Sequence, residues 1–90
     1  MNASVEIRVY GLVQGVNFRT STRTAAEKIG VSGFVRNEMD GSVYVKAEGK
    51  QEQINTLIEW CKQGPARSKV ERVAFENCEW QGLKGFEIRR

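Results

Sequence analysis

The sequence predicts an α+β fold in which two helices cover one face of an antiparallel sheet of four to five strands. Apolar residues alternate at the strand period in several segments and recur at the helical period in two others. These segments follow the order strand, helix, strand, strand, helix, strand. The chain has 90 residues, one proline and 40% hydrophobic content, which is typical of one small domain. We therefore expect residues 1–90 to form a single domain.

The first strand and the first helix are predicted on either side of a short loop. Apolar side chains alternate with polar ones over residues 5–10, as in a strand with one buried face. Apolar and small residues then recur at helical spacing from about Ser21. Thr20 or Ser21 is the candidate N-cap, and Gly30 is the expected end of the helix.

A hairpin is predicted in the middle of the chain. Residues 33–39 and 42–48 have the composition and alternation of strands, and Asp40 and Gly41 between them form a favoured hairpin turn. We assign Asp40 to this turn and not to a metal site or a general base, because Asp before Gly is common turn chemistry.

The second half of the chain repeats the pattern of a helix followed by strands. Apolar residues recur at helical spacing from Ile54 to Cys61, and Gly64 ends this helix. A fourth strand is predicted within residues 70–80, with Val73 and Phe75 as its clearest apolar pair, and a short last strand is predicted at 86–88. The complete order, βαββαβ, contains two split strand-helix-strand units and predicts a ferredoxin-like α/β sandwich.

Charge and composition exclude several kinds of chemistry. The net charge of +3 and the pI near 9.1 suit a small anionic ligand, but they are too modest to indicate nucleic acid. The chain has no His, which excludes nucleophile arrangements that use imidazole. No apolar run reaches the ~20 residues that cross a membrane, and Met1–Ser4 do not resemble a signal sequence. We expect a cytoplasmic protein with Cys61 and Cys78 as reduced thiols.

The loop of residues 13–19 is the strongest candidate for a binding site. It contains Gly15, precedes a helix and ends at Arg19, so it offers backbone N–H donors and a guanidinium to a tetrahedral anion. The strand order places the end of the second strand near the start of the first helix. Because Asn37 is on the same strand face as Val35, we expect Asn37 to approach this loop.

The same region resembles the two signatures of the acylphosphatase family. The resemblance covers nearly the whole chain, and it departs from the common family pattern at Leu12, Asn17 and residues 20–22. Asn tolerates left-handed backbone, so Asn17 is expected to preserve the geometry of the loop. The matching residues are Gly11, Val13, Gln14, Gly15, Val16, Phe18 and Arg19 in the first signature, and Gly33, Val35, Arg36, Asn37, Asp40, Gly41, Val43, Glu48 and Gly49 in the second.

The resemblance implies an enzyme that hydrolyses acyl phosphates to a carboxylate and inorganic phosphate. Arg19 would bind the phosphate, together with the backbone of Gln14, Gly15, Val16, Asn17 and Phe18, and Asn37 would position the attacking water. No metal, cofactor or covalent intermediate is expected, and inorganic phosphate should compete with the substrate. An acyl phosphate has a good leaving group, so no general acid is required. A phosphate oxygen of the substrate is the expected proton acceptor.

Two alternatives remain open at this stage. One is a non-catalytic module that binds an acyl phosphate, for example carbamoyl phosphate within a larger enzyme. The other is a module that binds single-stranded RNA on the sheet face opposite the helices, where Tyr10, Phe34 and Tyr44 are expected. We favour the enzyme, as a monomer that binds neither nucleic acid nor membranes. We interpret Glu48, Glu52 and Glu59 as solvated surface charges.

Overall fold

A computed structural model describes all 90 residues, and its sheet confirms the predicted ferredoxin-like α+β fold. The strands lie in the order β4-β1-β3-β2-β5. The pairs β1–β3, β1–β4 and β2–β3 are antiparallel, but β5 is parallel to β2, so the sheet is mixed. Neither helix is long and apolar enough to cross a membrane. The elements are β1 Asn2–Leu12, α1 Phe18–Ile29, β2 Ser32–Asn37, β3 Val43–Lys50, α2 Gln51–Gln63, β4 Lys69–Asn77 and β5 Phe86–Arg89.

The first helix begins earlier than the sequence pattern predicts. It starts at Phe18 with Asn17 as N-cap, so the prediction of a start near Ser21, capped by Thr20 or Ser21, is wrong. Tertiary packing explains the difference: the Phe18 side chain is buried and meets the Trp60 ring edge-on, with centroids 5.6 Å apart. The consequence is that Arg19 lies in the first turn of α1.

The core lies between the helices and one face of the sheet. The inward positions predicted for the third strand, Val43, Val45 and Ala47, are completely buried. Ile54 to Cys61 supply the buried face of α2, as their spacing predicts. Cys61 is a free thiol, and burial raises its pKa to about 12.

The hairpin and the edge strand differ in how well the pattern predicted them. Asp40 lies in the predicted turn, where its carboxylate accepts hydrogen bonds from the Ser42 N–H at 2.9 Å and the Ser42 hydroxyl at 2.5 Å. The fourth strand ends at Asn77, before the predicted end at residue 80. Phe75 is opposite Ile7 in the register, yet it is 54% exposed because β4 is an edge strand.

Glu48 is buried, so its interpretation as a surface charge is wrong. Only 2% of the residue is exposed. Its carboxylate accepts hydrogen bonds from the Ser4 hydroxyl at 2.9 Å and from the backbone N–H groups of Gln81 at 2.6 Å and Leu83 at 2.8 Å. Burial acts to raise the pKa of Glu48, but these hydrogen bonds outweigh it and the pKa is lowered. Glu48 therefore anchors the loop between β4 and β5. The other two glutamates of that interpretation are exposed.

Candidate active site

The loop between β1 and α1 presents a row of unpaired backbone donors. Gly15 has φ 75° and Asn17 has φ 67°, and this left-handed backbone turns the chain into the helix. The N–H groups of residues 15–17 donate to no acceptor in the protein, and the first N–H of α1 that is satisfied is that of Ser21, which donates to the Asn17 carbonyl at 3.1 Å. The positive end of the helix dipole adds to their attraction for an anion.

The side chains of this loop hold its backbone in place. Phe18 is buried and Val16 packs against the core, so only their backbone N–H groups are available to a ligand. The Gln14 side-chain amide donates to the carbonyls of Glu38 and Ser42, each at 2.8 Å. Gln14 therefore ties the loop to the β2–β3 hairpin. Sequence reasoning missed this contact because it joins residues that are 24 and 28 positions apart.

Arg19 and Asn37 meet at this loop, in a pocket of about 220 Å³. The Arg19 guanidinium donates to the Arg89 carbonyl of β5 at 3.3 Å and forms no ion pair. Asn37 is the last residue of β2, and its half-exposed side-chain amide has no hydrogen bond within the protein. Both groups thus retain free hydrogen-bonding capacity. The pocket is lined by Val13, Gly15, Asn17, Phe18, Arg19, Thr20 and Asn37.

The pocket contains no carboxylate. Glu38 follows Asn37 in sequence, but alternation turns it to the opposite sheet face, where it accepts hydrogen bonds from Arg36 at 2.9 Å and Arg8 at 3.1 Å. The Arg36 hydrogen bond is the main cause that lowers the pKa of Glu38. The negative charge of Glu38 is therefore paired with Arg36 and Arg8, and not with Arg19. The arrangement can bind a tetrahedral anion through a guanidinium and backbone N–H groups.

The sheet face opposite the helices is covered by its own arginines. Tyr44 and Phe34 on this face are both buried: Tyr44 is 6% exposed and Phe34 is 8% exposed. The Arg36 and Arg8 guanidinium carbons lie 4.5 and 5.0 Å from the Tyr44 ring centre, and that of Arg89 lies 3.9 Å from the Phe34 ring centre. These rings are not free platforms for stacking bases.

The fold and the pocket together define a class: a small ferredoxin-like domain that carries an anion-binding loop at the N-terminus of its first helix. A family model described as acylphosphatase matches residues 5–88. The chain belongs to the acylphosphatase family, which confirms the predicted resemblance and the predicted enzyme class.

Relatives and solved structures extend this match over the whole chain. An acylphosphatase of Pseudomonas paraeruginosa is 49% identical over 82 residues, which are 91% of this chain and 90% of that protein. The crystal structure of acylphosphatase from Bacillus subtilis is 33% identical, with a TM-score of 0.95 and full coverage of both chains. Full-length HypF, solved in a phosphate- and nucleotide-bound form, is 26% identical with a TM-score of 0.89; the match covers all of this chain and 12% of HypF.

Proposed function

We propose that the protein hydrolyses the carboxyl–phosphate bond of acyl phosphates, releasing a carboxylate and inorganic phosphate. One observation carries the proposal: the loop with its unpaired backbone N–H groups, the Arg19 guanidinium, which forms no ion pair, and the free Asn37 amide line one pocket that has no carboxylate. Membership of the acylphosphatase family supports the same reaction.

The loop and Arg19 hold the phosphoryl group in this proposal. The planar guanidinium matches two phosphate oxygens, and the N–H groups from Gly15 onward surround the others. Phosphoryl transfer depends mostly on positioning and on stabilising negative charge, and these fixed donors supply both. The Arg89 carbonyl, which accepts a hydrogen bond from Arg19, restricts the orientation of the guanidinium.

Asn37 positions the attacking water. Its neutral amide can hold a water molecule by hydrogen bonds without repelling the anionic phosphate. The water oxygen forms a bond to phosphorus while the bond from phosphorus to the acyl oxygen breaks, and that electron pair leaves on the carboxylate. A phosphate oxygen of the substrate takes the proton of the water. The weakly basic carboxylate needs no general acid, which is consistent with a chain that has no His.

We further propose that residues 1–90 act as one domain, as a metal-independent monomer in the cytoplasm. Arg19 and the helix N-terminus supply the positive charge that a metal would otherwise provide. Both cysteines are free, as is usual in a reducing compartment.

A non-catalytic role within a larger assembly is the second candidate. The match to a segment that is 12% of HypF favours it, because the same fold occurs there within a much longer chain. RNA binding has less support, because the aromatic rings of the open sheet face are covered by arginines. Turnover of an acyl phosphate by the 90-residue protein distinguishes an enzyme from either binding role.

The test is the hydrolysis of acetyl phosphate and benzoyl phosphate in the presence of a chelator. Arg19→Ala and Asn37→Ala should each lower kcat by about 100-fold or more, because each removes a group that stabilises or positions the reacting atoms. Arg23→Ala and Asn55→Ala are matched controls at exposed helix positions outside the pocket, and they should retain activity. Inorganic phosphate should inhibit competitively.

Three results would contradict the proposal. Full activity of either pocket variant, with circular dichroism unchanged, would remove the role assigned to that residue. A strict requirement for added magnesium would exclude the metal-independent mechanism. Absence of turnover by the folded wild-type protein would favour the non-catalytic role.

A further inference from the structure

A groove between the two helices adjoins the pocket that contains Arg19 and Asn37, called here the phosphate pocket. Its volume is about 560 Å³, more than twice that of the pocket. Asn17 and Thr20 line both spaces, so the two are adjacent. The side chains that form most of the groove are Thr24, Ala25 and Lys28 from α1, Thr56 and Trp60 from α2, and Pro65 from the turn that follows.

The chemistry of the groove suits an apolar group. The Trp60 ring, Pro65 and Ala25 present apolar surface, and no carboxylate lines the space. Its single charged residue, Lys28, is eight residues along α1 from Thr20, about 12 Å at the rise of an α-helix. An uncharged group attached to the bound phosphate therefore meets apolar surface before it reaches any charge.

The geometry of the reaction points the acyl group toward this groove. In phosphoryl transfer the attacking oxygen and the leaving oxygen lie roughly in line through phosphorus. Asn37 lines the phosphate pocket but not the groove, whereas Thr20 lines both. A water held by Asn37 would thus approach from one side of the pocket, and the acyl oxygen would leave on the side where the groove opens.

We propose that this groove is the acyl subsite and that it selects acyl phosphates with an apolar, uncharged acyl group such as benzoyl. The inference rests on the proposed function, because the groove is interpreted relative to a phosphate bound at Arg19. Trp60 and Pro65 contact the acyl group, and Thr20 lies at the junction between the phosphate and the acyl group. An acetyl group is too small to reach the far part of the groove.

Steady-state kinetics with benzoyl phosphate and acetyl phosphate test the subsite. Thr24→Trp fills the groove from α1 and Thr56→Trp fills it from α2, and both positions are exposed, so the fold should tolerate the change. Each variant should lower kcat/KM for benzoyl phosphate about tenfold, the effect of losing part of an apolar pocket. Each should keep kcat/KM for acetyl phosphate within about twofold of wild type. Arg23→Trp, on the same helix but outside the groove, should change neither.

The two substrates separate this inference from the proposed function. If wild-type protein hydrolyses neither substrate, the proposed function fails and the subsite fails with it. If both are hydrolysed, the deciding quantity is kcat/KM for benzoyl phosphate divided by kcat/KM for acetyl phosphate. When this ratio in both groove variants equals or exceeds the wild-type ratio, the subsite alone is wrong. Equal loss for both substrates would also contradict it, because the change would then act on the phosphate pocket.

Discussion

Replacing Glu48 by Gln is expected to destabilise the protein strongly, although Glu48 does not line the pocket that contains Arg19 and Asn37. The carboxylate uses one oxygen for Ser4 and Gln81 and the other for the Leu83 N–H. In Gln one of these oxygens becomes an NH₂ group, so at least one backbone N–H faces a donor and loses its acceptor. A lost charge-assisted hydrogen bond and a buried unsatisfied donor together cost about 2–3 kcal/mol.

The measurement is thermal and urea unfolding of wild type, Glu48→Gln and a control. For a chain of this size a loss of 2–3 kcal/mol lowers Tm by about 10–20 °C. Glu52→Gln is the control, because Glu52 is an exposed glutamate in the first turn of α2, and its variant should stay within about 0.5 kcal/mol of wild type.

The pH dependence gives an independent check with a definite sign. The pKa of Glu48 is lowered in the folded protein, so the folded state favours the ionised form. The stabilisation is complete above the ordinary pKa near 4.5 and is lost as the pH falls through the lower folded value. The unfolding curves of wild type and Glu48→Gln should therefore converge in acid. A Glu48→Gln variant as stable as wild type at pH 7 would refute the reasoning.

Two further predictions concern the loop. Asn17→Gly should keep kcat within about twofold of wild type. Asn17→Val should lower the free energy of unfolding by about 1–2 kcal/mol and reduce kcat/KM, because a β-branched residue is strained at φ 67°. Equal behaviour of the two variants in unfolding and kinetics would contradict this prediction. Gln14→Ala should lower the free energy of unfolding by about 1–2 kcal/mol and reduce kcat more than it raises KM, because it releases the loop from the hairpin that carries Asn37. An unchanged kcat would show that the Gln14 hydrogen bonds do not position the site.

The fold could be predicted because most elements are amphipathic and end at identifiable residues. Gly30 and Gly64 end the two helices as predicted. The start of α1 was missed because Phe18 is fixed by Trp60, a residue 42 positions away. Asn is a favoured residue type at N-caps, but Asn17 caps the helix through its left-handed backbone and its side chain forms no capping hydrogen bond. The parallel pairing of β5 with β2 is likewise a tertiary contact that strand alternation does not encode.

The candidate site, like the fold, has a part that the local sequence predicts and a part that depends on contacts between distant residues. Gly15 and Arg19 belong to one continuous segment, and the strand order places Asn37 beside it, so the sequence was sufficient to predict this juxtaposition. The contacts that hold these residues in place join positions that are far apart in the sequence. Gln14 reaches the hairpin, and the Arg89 carbonyl reaches Arg19 across 70 positions.

Glu48 adds a connection of the same kind at the other end of β5. It fixes the loop that leads into β5, the strand whose carbonyl at Arg89 orients Arg19. A polar residue with period-2 spacing looks the same in sequence whether solvent or backbone donors satisfy it, so its burial could not be predicted. The residues proposed to bind the substrate are thus the predictable part of this site, and the residues that keep them in place are identified only when the structure brings distant segments together.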